Sequence, residues 1–117
     1  MNVSIVIPAY NASETISKAL ESLLAQTYSH WEAIIIDDGS SDNTQAIVEN
    51  FKKQDTRFYL TNQSHLGGSA ARNKGVKLAH YDWLLFLDAD DWILPRHLEL
   101  MTDTLRSNPD LDAVHCG

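Results

Sequence analysis

The chain has 117 residues, a length that fits one domain, residues 1–117, with a real hydrophobic core. Its formal net charge of -7 excludes a nucleic-acid surface, because such a surface needs a basic patch to neutralise phosphates. A single cysteine, Cys116, excludes an intrachain disulfide, and no apolar run approaches the roughly 20 residues of a membrane span. We therefore expect a cytoplasmic domain with no signal peptide and no transmembrane segment.

Short β-branched or continuously apolar runs predict the strands of this domain. The predicted strands lie at residues 3–7, 31–36, 58–60 and 83–87, and a fifth begins at residues 113–116. The second and fourth runs do not alternate, which is typical of strands covered on both faces. The aromatic residues Trp31, Trp83 and Phe86 in these runs are therefore expected in the core.

Capping signals predict a helix after each of the first four strands. Asn11 is the expected N-cap of the first helix, with Glu14 as its capping-box partner. Asp42 is the expected cap of the second helix, and the glycine pair of residues 67–69 opens the third. Pro95 is the expected first residue of the fourth helix, since proline is favoured at that position.

Regular alternation of strand and helix predicts a mostly parallel sheet with helices on both faces. Ligands of such sheets bind in the crevice outside the carboxyl ends of the strands. The unusual residues of this sequence follow three predicted strands, at residues 8–11, 37–42 and 88–91. Their convergence on one edge of the sheet predicts a binding site there.

Three carboxylates, those of Asp88, Asp90 and Asp91, lie within four residues after the fourth strand. Like charges at that spacing repel, and a divalent cation compensates them most simply. Mg²⁺ or Mn²⁺ takes oxygen ligands from one or two carboxylates, from substrate phosphates and from water. The alternative is a solvated acidic turn whose carboxylates cap the following helix.

Two further segments predict contacts with a ligand. One carboxylate of the pair Asp37 and Asp38 is expected to face the crevice, while the other accepts backbone hydrogen bonds in the turn. Arg72 lies in the helix that the glycines open, where a phosphate would be favoured. An ion pair between Arg72 and a surface acid explains the arginine equally well, and His65 is expected to be a loop residue rather than a ligand.

The assembled motifs resemble the family 2 glycosyltransferases over essentially the whole chain. The matching segments are residues 3–11, 22–27, 36–42, 67–75 and 86–91. The resemblance implies a Rossmann-like GT-A fold, a three-layer α/β sandwich that is truncated here after about the fifth strand. It also implies metal-dependent, inverting transfer of a sugar from a nucleotide-diphosphate donor to an acceptor hydroxyl.

The resemblance carries roles over to particular positions. The nucleoside pocket would be lined by Pro8, Ala9 and Tyr10. Asp38 would bind the base, usually uracil in such enzymes, and Asp88 would approach the ribose. Asp90 would coordinate Mn²⁺ or Mg²⁺ between the two phosphates, and Arg72 would lie near those phosphates.

The family's general base is expected downstream of these residues, so the 117 residues are expected to bind donor without turnover. The implied partners are a nucleotide sugar and a glycan or lipid-linked acceptor of cell-envelope synthesis, with the enzyme in the cytoplasm or at the inner membrane face. Surfaces left uncovered by truncation are expected to favour a homodimer. The alternatives are a non-catalytic nucleotide-binding module and a sugar-1-phosphate nucleotidyltransferase, although the latter would carry a Gly-rich basic turn at residues 8–11.

Overall fold

The computed structural model describes residues 1–107. The elements, in chain order, are β1 (Val3–Ala9), α1 (Ile16–Leu24), β2 (Trp31–Asp37), α2 (Thr44–Gln54), β3 (Phe58–Asn62), α3 (Gly68–Leu78), β4 (Trp83–Phe86) and α4 (His97–Ser107). The fifth strand predicted at residues 113–116 lies outside the described part. Among residues 1–107, no helix has the length and apolar character that a membrane crossing needs.

The four described strands form one parallel sheet in the order β3-β2-β1-β4. The first strand pairs with β2 from Val3↔Trp31 to Ala9↔Asp37, and with β4 from Val3↔Trp83 to Val6↔Phe86. This arrangement confirms the predicted α/β fold with a parallel sheet. It also brings the carboxyl ends of all four strands to the same edge of the sheet.

Successive residues of β2 enter two separate hydrophobic clusters on the two faces of the sheet. Ile35 packs with residues of α1, α2 and α4, and this larger cluster contains most of the core. Ile34 and Ile36 pack with Ala71 of α3 on the other side. Every residue of β2 is buried, so the prediction of a strand covered on both faces is confirmed.

The predicted capping of α1 is wrong. The helix begins at Ile16 with Thr15 as its N-cap, and no side-chain hydrogen bond caps it. Asn11 instead adopts a φ of 47°, in the left-handed region that asparagine tolerates better than most residues. Its side-chain oxygen accepts a hydrogen bond from the backbone N–H of Ser41, so it joins the first turn to the second.

The start of α4 also differs from the prediction. The helix begins at His97, two residues after Pro95, and the residues before it are hydrogen-bonded to the segment that follows α1. The carbonyl of Pro95 accepts a hydrogen bond from the backbone N–H of Thr27. The side chain of Gln26 donates to the carbonyl of Leu94 and accepts from the N–H of Leu98.

The prediction of three core aromatic residues holds in part. Trp31 is buried and Trp83 packs against the larger cluster, but the side chain of Phe86 is 48% exposed. Residues of β4 alternate between partly buried and exposed. The exposed side belongs to the face that carries α3, and α3 packs over β1 and β2.

Candidate functional site

A crevice of about 840 Å³ lies outside the carboxyl ends of β1, β2 and β4, next to the first turn of α3. A volume of this size is typical of small-molecule sites. The structure brings all seven residues that the sequence predicted as site residues into its lining, namely Pro8, Ala9, Tyr10, Asp38, Arg72, Asp88 and Asp90. The predicted convergence of the three turns on one edge of the sheet is therefore observed.

Two of the three carboxylates after β4 face this crevice. Asp88 and Asp90 are exposed and line it, while Ala89 between them is buried. Asp91 lines a neighbouring groove instead, and its backbone N–H closes a tight turn onto the carbonyl of Asp88. The turn thus presents the carboxylates of Asp88 and Asp90 to the crevice, while Asp91 lines the neighbouring groove, which Asp88 also borders.

Arg72 of α3 lies beside the acidic turn at the crevice. Its side chain is 43% exposed, and its guanidinium contacts the carboxylate of Asp88 at 3.5 Å. A β-carbon on Gly68 would lie 3.3 Å from the Arg72 Nη1 atom, so the guanidinium folds over the first turn of α3. The N-cap of this helix is Gly67, which provides no side chain to cap the first turn. Backbone N–H groups at a helix start and an arginine fork together favour an anion.

Asp38 is 3% exposed, and its carboxylate is held by the loop of residues 63–67. One oxygen accepts hydrogen bonds from the Gln63 side chain and the Leu66 N–H, and the other accepts from the Gly67 N–H. Burial works to raise the pKa of the Asp38 carboxyl, but these hydrogen bonds and nearby His65 outweigh it and hold the pKa below its usual value. The carboxylate is therefore charged, and it fixes the loop against β2.

Asp37 likewise accepts hydrogen bonds from groups that follow it in the chain. Its side chain is fully buried, and one oxygen accepts hydrogen bonds from the Ser40 N–H and the Gln45 side chain. Both aspartates at the end of β2, Asp37 and Asp38, therefore bind loop groups, whereas the sequence predicted this for one of them. Of the two, Asp38 lines the crevice.

Hydrogen bonds join the turns after β1 and β2, and Asn11, Ser13 and Asp42 of these turns line the crevice. The Asn11 N–H donates to the Ser40 hydroxyl at 2.8 Å, and the Ser13 N–H donates to the Asp42 carboxylate at 3.1 Å. The N-cap of α2 is Asn43 rather than the predicted Asp42. Asp42 lies one position earlier, and its carboxylate accepts hydrogen bonds from the backbone N–H and the hydroxyl of Thr44, the first residue of α2. The hydrogen bond from the Thr44 hydroxyl, with those from backbone N–H groups, lowers the pKa of Asp42 to about 2.

His65 is a crevice residue that the sequence did not single out as a ligand. Its ring lies on that of Tyr10, with centroids 4.2 Å apart and an interplanar angle of 32°. Its position after the third strand could have indicated a place in the crevice, because the carboxyl end of that strand lies next to that of β2. The predicted site combined the ends of strands one, two and four and did not include this loop.

The carboxylate oxygens of the acidic turn fit a divalent cation whose remaining ligands come from a substrate. No cluster of three or more His, Cys, Asp or Glu side chains that could hold a metal exists within residues 1–107. The pair Asp88 and Asp90 offers carboxylate oxygens, which Mg²⁺ and Mn²⁺ prefer. Phosphate oxygens and water would supply the remaining ligands, as is usual for Mg²⁺.

The chain resembles known proteins in sequence and in fold. The family model described as "Glycosyl transferase family 2" matches residues 4–116. The chain is 41% identical over 106 residues to the Escherichia coli UDP-Glc:alpha-D-GlcNAc-diphosphoundecaprenol beta-1,3-glucosyltransferase WfgD, covering 91% of the chain and 42% of that protein. It is 38% identical over 112 residues to the poly-beta-1,6-N-acetyl-D-glucosamine synthase of Staphylococcus epidermidis, covering 96% of the chain and 27% of the synthase.

Among solved structures, that of S. aureus TarS 1-349 in complex with UDP-GlcNAc has a TM-score of 0.88 and 28% sequence identity. The likeness covers 93% of the chain and 32% of the TarS chain, and it confirms the predicted GT-A fold. The chain spans about a third of the length of several curated relatives that it matches, at 32% and 33%. With a family model that matches nearly all of its residues, the chain belongs to glycosyl transferase family 2.

Proposed function

We propose that the crevice binds a nucleotide-diphosphate sugar and that the chain serves inverting transfer of the sugar to an acceptor hydroxyl. The observation that carries this proposal is the convergence of all seven predicted site residues on one crevice. In this proposal the base lies near Tyr10 and Asp38, and the ribose near Asp88. The phosphates lie between Arg72 and Asp90.

A UDP-sugar is the donor that the relatives support best. The name of WfgD specifies UDP-Glc, and TarS was solved in complex with UDP-GlcNAc. The synthase of S. epidermidis is named for a polysaccharide of N-acetylglucosamine. By this likeness we propose a role in polysaccharide or cell-envelope glycan synthesis, with a glycan or lipid-linked acceptor, in the cytoplasm or at the inner membrane face.

Charge balance supports a divalent cation at Asp90. A diphosphate brings negative charge to a crevice that already contains the carboxylates of Asp88 and Asp90, and Arg72 supplies one positive charge. A bound cation reverses the local sign of charge and so permits the approach. When bound, Mn²⁺ or Mg²⁺ supplies Lewis-acid stabilisation of the charge that develops on the leaving diphosphate.

The residues of this chain would position the donor and stabilise its leaving group. Arg72 would exchange its contact with Asp88 for hydrogen bonds to phosphate oxygens, and the N–H groups at the start of α3 would point toward the same oxygens. The folded chain would hold these hydrogen-bond donors in place before the reaction, so they would need little reorganisation as negative charge develops on the leaving diphosphate. That the 117 residues bind donor without turnover, with the general base downstream, stays a prediction.

We also propose that β4 mediates self-association of this chain. Within residues 1–107, β4 is an edge of the sheet, and Leu84 and Phe86 on it are exposed. An edge strand with free backbone groups and apolar side chains favours pairing with another chain.

Calorimetric titration of UDP, with and without Mn²⁺, tests the donor site. We expect binding by the native chain that depends on Mn²⁺ and is lost in Asp90→Ala. Asp91→Ala is the matched control, because Asp91 is adjacent in sequence but lines the other groove. Its affinity for UDP should stay within about threefold of native.

Each contrary outcome removes a different part of the proposal. Equal, metal-independent binding of UDP by the native chain and by Asp90→Ala would remove the cation from Asp90 while keeping the nucleotide site. Failure of the native chain to bind UDP or any other nucleoside diphosphate would remove the donor function itself.

A further inference from the structure

Residues 22–27 form one of the segments through which the chain resembles its family, and they lie outside the lining of the crevice. Their polar side chains contact the segment that follows the acidic turn. The Ser22 hydroxyl donates to the carbonyl of Ala19 at 2.6 Å and accepts a hydrogen bond from the Ile93 N–H at 3.2 Å. Helix α1 is therefore tied to the chain two residues after Asp91.

The side-chain amide of Gln26 joins the same segment to the end of α1. Its nitrogen donates to the carbonyl of Leu94 at 2.7 Å and to that of Ser22 at 3.0 Å. Its oxygen accepts from the N–H of Leu98, in the first turn of α4, at 3.0 Å. One amide thus fixes the segment between the acidic turn and α4 against α1.

The acidic turn is held at its other end by the sheet and in its middle by the core. The Leu87 N–H donates to the carbonyl of Val6 at 3.0 Å, which continues the pairing of β4 with β1. Ala89 is buried in the larger hydrophobic cluster, which also contains residues of α1. The backbone of residues 87–93 is therefore held from both sides, by β1 and by α1.

The carboxylates of the acidic turn do not hold it in place themselves. Asp88 contacts Arg72 at 3.5 Å, and in the described part of the chain the side chains of Asp90 and Asp91 have no hydrogen-bond or ion-pair partner. Like charges this close together repel one another. The position of the turn therefore depends on its backbone contacts with β1 and α1.

We propose that Ser22 and Gln26 are positioning residues of the donor site, whose hydrogen bonds hold the acidic turn where Asp90 meets the divalent cation. This inference rests on the proposed donor function and adds two residues to it. A carboxylate that is held in place before binding loses less freedom when it becomes a metal ligand. Groups that orient a metal ligand typically contribute about 10–100-fold to metal affinity.

Calorimetric titration of UDP in the presence of Mn²⁺ tests this role, because it measures the dissociation constant and the number of sites per chain separately. We expect Gln26→Met, which keeps the length of the side chain but not its hydrogen bonds, to raise the dissociation constant about tenfold. Ser22→Ala should raise it as well. Ser22→Thr keeps a hydroxyl that can bind the carbonyl three residues back, so its dissociation constant should stay within about threefold of native.

Glu32→Gln is the matched control for a loss of stability. The Glu32 carboxylate binds Ser4 and His80 near the start of β2, whereas the acidic turn follows the carboxyl end of β4. Because the two places are independent, the control should leave the dissociation constant within about twofold of native. The number of sites should stay at the native value in the Ser22 and Gln26 variants.

Three outcomes would overturn the inference. A native dissociation constant in Gln26→Met would remove any role of the amide hydrogen bonds. Fewer sites at a native dissociation constant would show that the two residues only stabilise the fold. A loss in Ser22→Thr as large as in Ser22→Ala would assign the effect to packing rather than to the hydroxyl. A native chain that binds neither UDP nor other nucleotides would overturn the donor function together with this inference.

Discussion

Gly75 of α3 and Val6 of β1 pack so closely that a β-carbon at position 75 would lie 2.3 Å from the Val6 Cγ1 atom. Real β-carbons essentially never approach another atom that closely, so the absence of a side chain at Gly75 sets the distance between helix and sheet. The start of α3 carries Gly67 and Arg72 into the crevice. The contact therefore positions the proposed phosphate-binding groups.

Gly75→Ala should destabilise the fold by about 1–3 kcal/mol, the usual cost of overpacking a core. Helix propensity alone predicts the opposite sign, a gain of about 1 kcal/mol. Urea unfolding of the native chain and of Gly75→Ala measures the difference in their free energies of unfolding. In a Val6→Ala background the cost of Gly75→Ala should shrink markedly, which a double-mutant cycle detects. Gly68→Ala is the control, since its nearest neighbour is the flexible end of Arg72; a cost equal to that of Gly75→Ala would contradict the account.

Glu32→Gln should destabilise the chain by about 1–3 kcal/mol at pH 7, because the buried carboxylate accepts hydrogen bonds from the Ser4 hydroxyl and the His80 N–H. Burial works to raise the pKa of Glu32, but these bonds and the His80 ring outweigh it and lower the pKa below 4.5. The contribution is therefore complete above pH 4.5 and is lost as pH falls through the folded-state pKa.

The difference in unfolding free energy between native and Glu32→Gln should thus narrow when the pH is lowered from 7 to about 3.5. Glu49→Gln serves as the control, because Glu49 is exposed and forms with Lys52 a surface ion pair, which contributes little to stability. If the difference in unfolding free energy between native and Glu32→Gln stays constant with pH, the charge of the Glu32 carboxylate makes no contribution to stability.

His97 should make the stability of the chain fall as the pH drops below about 6.5. Its Nε2 atom is buried without a hydrogen-bond partner among the described residues, and burial lowers the pKa of His97 below 6.5. The unfolded chain then binds a proton that the folded chain resists, so stability is full above pH 6.5 and decreases below it. Denaturant midpoints at pH 7.5 and 5.5 should differ less for His97→Leu than for native; an equal or larger difference in the variant would contradict this.

Phe86→Glu should weaken self-association by at least about tenfold, since it puts a charge on the proposed β4 contact. Sedimentation equilibrium over micromolar to millimolar protein gives the dimer constant. Leu100→Glu changes an equally exposed apolar residue on α4 and should leave the constant unchanged. A native chain that is monomeric at millimolar concentration would remove the proposed dimer.

Local sequence patterns predicted the elements and the edge of the sheet where the turns meet. Continuous apolar runs identified β2, and glycine pairs identified the start of α3, because these signals depend on near neighbours in the chain. The left-handed Asn11 escaped prediction since its partner Ser41 lies 30 residues away. The exposure of Phe86 depends on which strands α3 covers, and the contact of His65 with Tyr10 depends on the order of the strands. Such relationships are set by tertiary packing, which a local pattern does not contain.

We propose above that the acidic turn after β4 and the start of α3 hold the diphosphate of a nucleotide through a divalent cation. Crystals grown with UDP and Mn²⁺, measured near the manganese absorption edge, test it most directly. We expect an anomalous peak beside the Asp90 carboxylate, with the diphosphate between the ion and Arg72. UDP bound in the crevice with manganese absent from Asp90, or bound away from residues 88–90 altogether, would contradict it.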